Sequence, residues 1–137
     1  MTDNVSVQTR SRIMSRIRSG HTAPELAVRR YLHAAGLRYR LHAKGLPGRP
    51  DLVLGRFRVA IFVHGCFWHR HPECRFCTNP STNVGFWRRK FEGNMQRDRA
   101  TTEALSRLGW KVIIIWECET RSEQALDNLF WRIVESA

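Results

Sequence analysis

The sequence predicts an α/β fold in which helices flank a mixed β-sheet. Short apolar segments with strand character lie between residues 37 and 63 and again at 111–116. Three helical segments begin near residues 22, 86 and 122. The resulting order is a helix, three strands, a helix, a strand and a helix, which is typical of a sheet covered by helices.

The first predicted helix begins after Thr22 and ends at Gly36. Its first residues, Thr22-Ala23-Pro24-Glu25, have the capping-box pattern, with a hydroxyl at the N-cap, an acid three residues later and proline in the first turn. Upstream, Arg10–Arg18 places Ile13, Met14 and Ile17 at helical spacing among arginines. We therefore interpret residues 1–20 as a flexible basic arm or a short helix.

The remaining elements follow from alternation, turn residues and apolar runs. Leu37–Leu41 alternates like a strand, and Pro50–Leu54 and Arg58–Val63 flank a turn at Gly55 as two paired strands. Residues 64–80 form a loop rich in Cys and His. The later elements are a helix over Phe86–Leu108, an apolar strand over Lys111–Trp116 and a helix over Ser122–Val134, with Trp87, Trp110 and Trp116 expected in the core.

Length and composition favour one globular domain over residues 1–137. The chain has 137 residues, 42% of them hydrophobic, which is enough to bury a core. No apolar stretch approaches the roughly 18 residues that a membrane span needs, and Met1–Thr9 lacks a secretory signal. We expect a soluble cytoplasmic monomer, associated with the nucleoid and not with a membrane.

The charge is strongly positive and unevenly distributed. Lys and Arg total 23 against 12 Asp and Glu, and residues 1–50 carry ten basic and two acidic residues. Residues 117–137 are instead net acidic. A one-sided positive field attracts a polyanion, most simply nucleic acid. The alternative is a basic surface that serves only solubility.

A metal site is predicted in the Cys- and His-rich loop. Thiolate and imidazole are the ligands of structural zinc, which takes four of them in a tetrahedron. In a cytosolic protein, clustered cysteines indicate metal rather than a disulfide. The preferred ligand set is Cys66, His71, Cys74 and Cys118. Two alternatives remain: a four-cysteine set that includes Cys77 and leaves out His71, or free thiols without metal.

Hydrolysis of a phosphodiester bond requires a cation, a positioned water and help for the leaving oxygen. Asp51 begins one predicted strand and His64 ends its hairpin partner, so the two side chains are expected to meet near one sheet edge. The Pro50-Asp51 dipeptide before a strand is similar to the restriction-nuclease superfamily. That superfamily commonly has an acid and a lysine on the second strand, whereas this chain has Phe62-Val63-His64.

Several motifs resemble the very-short-patch-repair DNA mismatch endonucleases, and the resemblance extends from about Thr9 to Cys118. The most specific is His64-Gly65-Cys66-Phe67-Trp68-His69. The others are Gly48-Arg49-Pro50-Asp51, Phe86-Trp87, Asn94 with Arg97-Asp98-Arg99, Gly109-Trp110 and Trp116-Glu117-Cys118.

The resemblance implies a restriction-endonuclease-like fold and magnesium-dependent nicking of duplex DNA at T:G mismatches produced by 5-methylcytosine deamination. It assigns Asp51 as the direct metal ligand, and Val63, where the family often has Thr, as a ligand through its backbone carbonyl. His69 would be the base or orienter of the attacking water. His64, Asp98 and Glu25 would act through water around the metal. A cognate cytosine-5 methyltransferase and other repair proteins would be partners.

Each of these residues also has a simpler interpretation. Glu25 fits the acid position of a capping box, and Asp98 could pair with Arg97 or Arg99 on an exposed helix. His64, His69 and Asp51 could be structural residues of a strand end, a loop and a turn.

DNA recognition is predicted from aromatic and basic residues near the metal loop. Phe67 and Trp68 lie between predicted zinc ligands and suit wedges that unstack base pairs, a role for which a poorly stacked wobble mismatch lowers the cost. The resemblance adds Met14 as a wedge from the opposite groove. Lys90 and Asn94 share a helix face with Asp98 and could reach base edges. For Phe67, Trp68 and Met14, the alternative is ordinary packing within the protein.

Two other functions remain compatible with these motifs. One is a sequence-specific nicking or restriction-type endonuclease that needs no mismatch. The other is a zinc-bearing DNA-binding module without catalysis, which the presence of Asp51, His64 and His69 disfavours.

Overall fold

The computed structural model describes residues 22–135, so the predicted arm at 1–20 and its Met14 lie outside the described residues. Within this range the chain forms three α-helices, four strands and one short 3₁₀ helix. In chain order these are α1 (Ala23–Ala34), β1 (Arg40–Leu41), β2 (Leu52–Leu54), β3 (Val59–His64), α2 (Val84–Arg107), β4 (Lys111–Trp116), the 3₁₀ helix (Glu119–Arg121) and α3 (Glu123–Val134).

The four strands form one mixed sheet in the order β1-β2-β3-β4. The first two pairings are antiparallel, and β3 runs parallel to β4 from Val59 opposite Lys111 to His64 opposite Trp116. The crossover between the two parallel strands is α2, as parallel pairing requires a long connection. The carboxyl ends of β3 and β4 therefore meet at one edge of the sheet, next to the start of β2.

Helices cover both faces of the sheet. Successive side chains of β3 point to opposite faces and so divide the core into two clusters. Val59 and Ile61 face the larger cluster, which α1 and α3 complete with residues such as Leu32 and Leu129. Ala60 and Phe62 face α2, where they pack against Leu105. The predicted α/β class and its layered arrangement are confirmed.

The main difference from the predicted elements is the length of β1. Leu37–Leu41 was expected to be extended, but only Arg40–Leu41 pairs with β2. Leu37 instead belongs to the α1 end of the core, and His42 leaves the strand with a left-handed φ of 47°. The strand is therefore cut short where the chain turns toward the sheet edge.

The tryptophans differ from the expectation that they fill the core. Trp87, Trp110 and Trp116 are all half-buried. Trp110 packs against the α2-side cluster and lies under the Arg58 guanidinium, 4.9 Å from ring centre to Cζ. The larger part of the core is aliphatic. The three tryptophan rings lie at its border, where they can contact neighbouring loops.

A tight approach between the β1–β2 connection and α2 fixes the start of β2. Gly48 has a φ of 71°, and a side chain there would collide with that of Thr101 on α2. Glycine tolerates both the conformation and the contact. The following residues, Arg49-Pro50-Asp51, are thereby held beside α2. None of the helices in residues 22–135 is long and apolar enough to cross a membrane.

Candidate active site and metal centre

A cleft of about 940 Å³ opens at the sheet edge where β3 and β4 end. Its walls come from the start of α1, the start of β2, the end of β3, the following loop and α2. The lining includes Glu25, His42, Arg49, Asp51, Val63, His64, Phe67, Trp68, His69, Lys90, Asn94, Arg97, Asp98 and Glu117. Every catalytic and DNA-contacting residue predicted within 22–135 lines this cleft.

One wall carries an acidic trio, Glu25, His42 and Asp51, whose ligand atoms all lie within 4.8 Å of one another. Glu25 is 2% exposed, and its two oxygens face His42 Nε2 at 2.9 Å and Arg29 Nη1 at 3.4 Å. Half of the predicted capping box forms, since Thr22 Oγ1 accepts from the Glu25 backbone N–H at 3.4 Å. The carboxylate of Glu25 is directed into the cleft.

Asp51 occupies a position that disfavours its negative charge. Its Oδ2 accepts a hydrogen bond from the Val63 backbone N–H at 2.8 Å. Burial raises the pKa of the Asp51 carboxyl to about 6, and the neighbouring Glu25 charge adds to this against the Val63 hydrogen bond. Two neighbouring carboxylates in a largely buried site, one of them Asp51 with its raised pKa, form a chemical environment suited to a cation.

The cleft lining also carries a histidine trio, His64, His69 and Asp98. His69 Nδ1 lies 2.7 Å from Asp98 Oδ2, and His64 Nε2 lies 3.9 Å from Asp98 Oδ1. The imidazoles stack with ring centres 3.8 Å apart and an angle of 7°. Because nearly parallel stacked rings cannot both direct an in-plane lone pair at one ion, this trio is suited to proton handling rather than to chelation.

His64 is the more deeply placed of the two imidazoles. Burial lowers the pKa of His64 to about 4, and the neighbouring His69 lowers it further against the influence of Asp98. Its Nδ1 is the one buried side-chain nitrogen or oxygen without a hydrogen-bond partner in residues 22–135. His64 is therefore neutral at physiological pH and offers an unused polar atom beside the cleft.

The resemblance implied that Asp98 acts through water. In the structure Asp98 contacts His69 directly, from the α2 face that it shares with Lys90 and Asn94. The alternative of an exposed ion pair with Arg97 or Arg99 is not what the carboxylate does here. Its hydrogen bond to Nδ1 holds the ring and leaves Nε2 as the nitrogen that can accept a proton.

A cysteine cluster, Cys66, His71, Cys74 and Cys118, joins the loop after β3 to the residues that follow β4. Its four ligand atoms all lie within 4.8 Å of one another, and His71 Nδ1 lies 3.7 Å from Cys66 Sγ and 3.5 Å from Cys118 Sγ. Tetrahedral zinc with bonds of about 2.1 to 2.3 Å separates such ligands by about 3.5 to 3.8 Å. The donor set and spacing fit zinc.

The thiols of this cluster are suited to a cation. Burial raises the pKa of the Cys66 thiol to about 12. A bound cation would replace the proton, as metal ligation deprotonates thiols outright. The structure brings together the preferred ligand set, and Cys77 does not join it within the described chain. His71 is further oriented by stacking on Trp116, with ring centres 4.2 Å apart.

Sequence reasoning missed two residues of the cleft, His42 and Glu117. The Glu117 backbone N–H donates to the His64 carbonyl at 2.8 Å, and its Oε1 accepts from the Cys66 N–H at 3.3 Å. Glu117 therefore ties the cysteine cluster to the strand that carries His64. Its position beside Cys66 depends on β3 and β4 ending together, which has no local sequence signal.

Phe67 and Trp68 form an aromatic rim of the cleft and pack with Trp87 and Phe91, which lie outside the cleft lining. Phe67 packs edge-on against the other three, with ring centres 5.2 to 5.6 Å apart. Both Phe67 and Trp68 are half-buried. Each of the two rings is partly packed and partly exposed to the cleft. Phe67 and Trp68 are therefore neither core residues nor fully exposed wedges.

Two α2 residues support this rim. Asn94 Nδ2 donates to the Trp68 carbonyl at 3.1 Å, so its amide positions the aromatic loop in this structure. Lys90 lines the cleft one turn earlier. With Arg49 and Arg97 it gives the cleft a cationic border that suits a phosphate backbone.

Comparison with known proteins identifies the family of the chain. Residues 2–75 match the family model described as DNA mismatch endonuclease Vsr. A type II nicking enzyme of Xanthomonas oryzae pv. oryzae is 45% identical over 135 residues, 98% of each chain. A type II nicking enzyme of Neisseria meningitidis is 40% identical over 98% of this chain and 95% of its own length. The DNA mismatch endonuclease Vsr of Escherichia coli is 41% identical over 93% and 81%.

The fold, the cleft and these relatives define a DNA-nicking endonuclease. The chain belongs to the Vsr family of DNA mismatch endonucleases.

Proposed function

We propose that this endonuclease nicks one strand of duplex DNA at T:G mismatches that arise from 5-methylcytosine deamination, with magnesium as cofactor. The observation that carries the proposal is that the acidic trio and the histidine trio line one cleft together with the basic side chains of Arg49, Lys90 and Arg97. A phosphate in this cleft would therefore meet both a carboxylate site for a cation and a site for proton transfer. The proposal includes a single nuclease domain with a restriction-endonuclease-like sheet.

Asp51 and the Val63 carbonyl would hold the cation. Continuing the β2–β3 register places Pro50 opposite Val63. Proline has no N–H to donate, so it cannot satisfy the Val63 carbonyl. That carbonyl points to the same side of β3 as the Val63 N–H, which already contacts Asp51. The Pro-Asp dipeptide thus supplies a carboxylate and also leaves a backbone oxygen available beside it.

Magnesium, when bound, would neutralise charge on the phosphate and lower the cost of forming the nucleophile. The chain's own part in proton transfer falls to His69. Asp98 fixes the His69 tautomer, so Nε2 can take a proton from the attacking water. His64, neutral and stacked on His69, keeps the ring in place without adding a second charge. Arg49, Lys90 and Arg97 would position phosphates.

Asp98→Asn tests the pairing of Asp98 with His69. We expect single-turnover nicking to fall by about 10²-fold or more, because the base loses its orienting carboxylate. DNA affinity should change little, and the pH–rate profile should move because the His69 environment has changed. Glu103→Gln on the exposed side of α2 is the control. An unchanged rate and profile in Asp98→Asn would remove the pair from the mechanism.

The cysteine cluster is proposed to hold structural zinc. Residues 65–83 contain no helix or strand, yet they carry Phe67, Trp68 and His69 at the cleft. A closed four-ligand site would fix such a loop without regular structure. This zinc would take no part in the reaction.

Mismatch selectivity is proposed to come from the aromatic rim. Inserting apolar rings between base pairs costs a few kcal/mol per unstacked step, and a T:G wobble lowers that cost by its weaker stacking. Packing against Trp87 and Phe91 already restricts the Phe67 side chain, so little additional conformational freedom is lost on insertion. A cognate cytosine-5 methyltransferase and other repair proteins in the nucleoid are the proposed partners of the pathway.

Replacing both Phe67 and Trp68 by alanine should remove the preference for T:G over matched duplex. We expect the ratio of single-turnover rates on the two duplexes to fall toward one, with zinc content unchanged. Trp131→Ala is a matched control, because Trp131 is an exposed aromatic residue of α3 outside the cleft lining. Wild-type discrimination in the double variant would refute the wedge.

The proposed function is tested by nicking assays on duplexes that differ in one base pair, with Mg²⁺ present or chelated. We expect cleavage of the T:G duplex that requires Mg²⁺ and far slower cleavage of the T:A and C:G duplexes. Equal nicking of matched and mismatched sites would instead establish a sequence-specific nicking enzyme. Nicking that persists in chelator would contradict the cation requirement.

A further inference from the structure

The acidic trio contains a nitrogen donor, His42, that no motif assigned. We propose that His42 is a direct ligand of the cation held by Asp51, and that the site consequently favours divalent transition metals such as Mn²⁺ over Mg²⁺. The inference rests on the proposed cation at Asp51. It adds a protein ligand and a metal preference to that site.

Spacing within the trio is that of neighbouring ligands on one ion. His42 Nε2 lies 2.9 Å from Glu25 Oε1, and all three donor atoms lie within 4.8 Å of one another. Octahedral ligands at about 2.1 Å from an ion are about 3.0 Å apart when adjacent. The second Glu25 oxygen faces Arg29 at 3.4 Å, so Oε1 is the oxygen left to the trio.

The backbone fixes the imidazole in this position. The β1–β2 register, continued by one residue, places His42 opposite Asp51, and the His42 N–H donates to the Asp51 carbonyl at 3.1 Å. His42 then takes a left-handed φ of 47°, which is uncommon for a residue other than glycine. Asp51 and His42 are therefore held side by side before any ion binds.

Burial favours these side chains over water as ligands of a bound cation. The His42 side chain is 15% exposed and that of Glu25 is 2% exposed. An ion between them exchanges part of its hydration shell for protein donors. Mg²⁺ dehydrates reluctantly and prefers oxygen, whereas an imidazole nitrogen favours transition metals. A trio of two carboxylates and one imidazole is therefore biased toward the latter.

The test is pulsed electron paramagnetic resonance of Mn²⁺ bound to the full chain, with the cysteine cluster first filled with Zn²⁺. We expect the nitrogen coupling of a directly bound imidazole. His42→Gln should abolish it and weaken Mn²⁺ binding about tenfold, while Mg²⁺ binding changes by less than about twofold. The glutamine amide can still donate to Glu25, so the hydrogen bond is preserved. His33→Gln, at an exposed histidine in the last turn of α1, is the control.

Three results would overturn the inference. Nitrogen coupling that is absent from wild type, or that persists in His42→Gln, would reduce His42 to a hydrogen-bond partner of Glu25 while leaving the Asp51 site intact. Mn²⁺ binding that is indifferent to Asp51→Asn would remove the proposed cation site itself, and His42 with it.

Discussion

Asp51→Asn is expected to abolish nicking and at the same time to stabilise the protein in the absence of Mg²⁺ and Mn²⁺. Loss of the carboxylate ligand should lower the single-turnover rate by about 10³-fold or more, since the cation stabilises the developing charge. The asparagine oxygen can still accept from the Val63 N–H, so the fold and DNA binding should persist. Asp127→Asn on α3, outside the cleft, should nick normally.

The stability effect has a defined pH dependence. The pKa of Asp51 is raised from 3.8 to about 6 by folding. Its contribution to the free energy of unfolding is therefore present below pH 3.8 and is lost as the pH rises through about 6. Asparagine does not ionise, so the advantage of the variant over wild type under these conditions should grow from near zero at pH 4 to about 2 kcal/mol at pH 8.

Urea unfolding of the zinc-loaded protein at both pH values, without added Mg²⁺ or Mn²⁺, measures this difference. Equal stability of Asp51→Asn and wild type at pH 8, or a less stable variant, would contradict the unfavourable burial of the Asp51 charge. Nicking within tenfold of wild type would contradict the assignment of Asp51 as the main ligand.

Cys66→Ser is expected to have the largest effect on stability. Cys66 is fully buried at the centre of the cysteine cluster, and ligand binding to a site absent from the unfolded chain contributes directly to folding. Removing this thiolate should release zinc and lower the free energy of unfolding by about 4 kcal/mol or more. Nicking should be lost as well, because the loop that carries His69 is no longer fixed.

Cys77→Ser provides the matched control. Cys77 lies three residues from Cys74 but outside the cluster, so its replacement should retain one zinc per chain and change stability by less than about 0.5 kcal/mol. Metal analysis and thermal unfolding of the two variants separate the ligand sets. Zinc loss in Cys77→Ser with retention in Cys66→Ser would reverse the assignment.

Local patterns in the sequence were sufficient to predict the helices and most strands. The short apolar runs Val59–His64 and Lys111–Trp116 specify strands because β3 is buried on both faces and β4 is buried on one face and partly covered on the other. Thr22 and Ser122 each cap a helix through a local hydrogen bond, which is why those starts were predicted closely. The candidate cysteine ligands could be inferred from donor chemistry alone.

Long-range register accounts for what the sequence did not reveal. His42 becomes part of the acidic trio only because β1 pairs with β2 so that residue 42 falls opposite Asp51. Glu117 meets Cys66 only because β3 and β4 end together. The direct contact of Asp98 with His69 depends on the rotation of α2 over the sheet. None of these relations has a local sequence signal.

A cation held between Asp51 and the Val63 carbonyl, beside the His69–Asp98 pair, is the central feature of the proposed active site. Crystals of the protein with a T:G duplex, soaked in Mn²⁺ and measured at the manganese absorption edge, locate such an ion directly by anomalous scattering. We expect one peak within about 2.3 Å of an Asp51 oxygen and of the Val63 carbonyl, facing the scissile phosphate. A peak remote from Asp51, with the phosphate bound elsewhere, would contradict the proposed site.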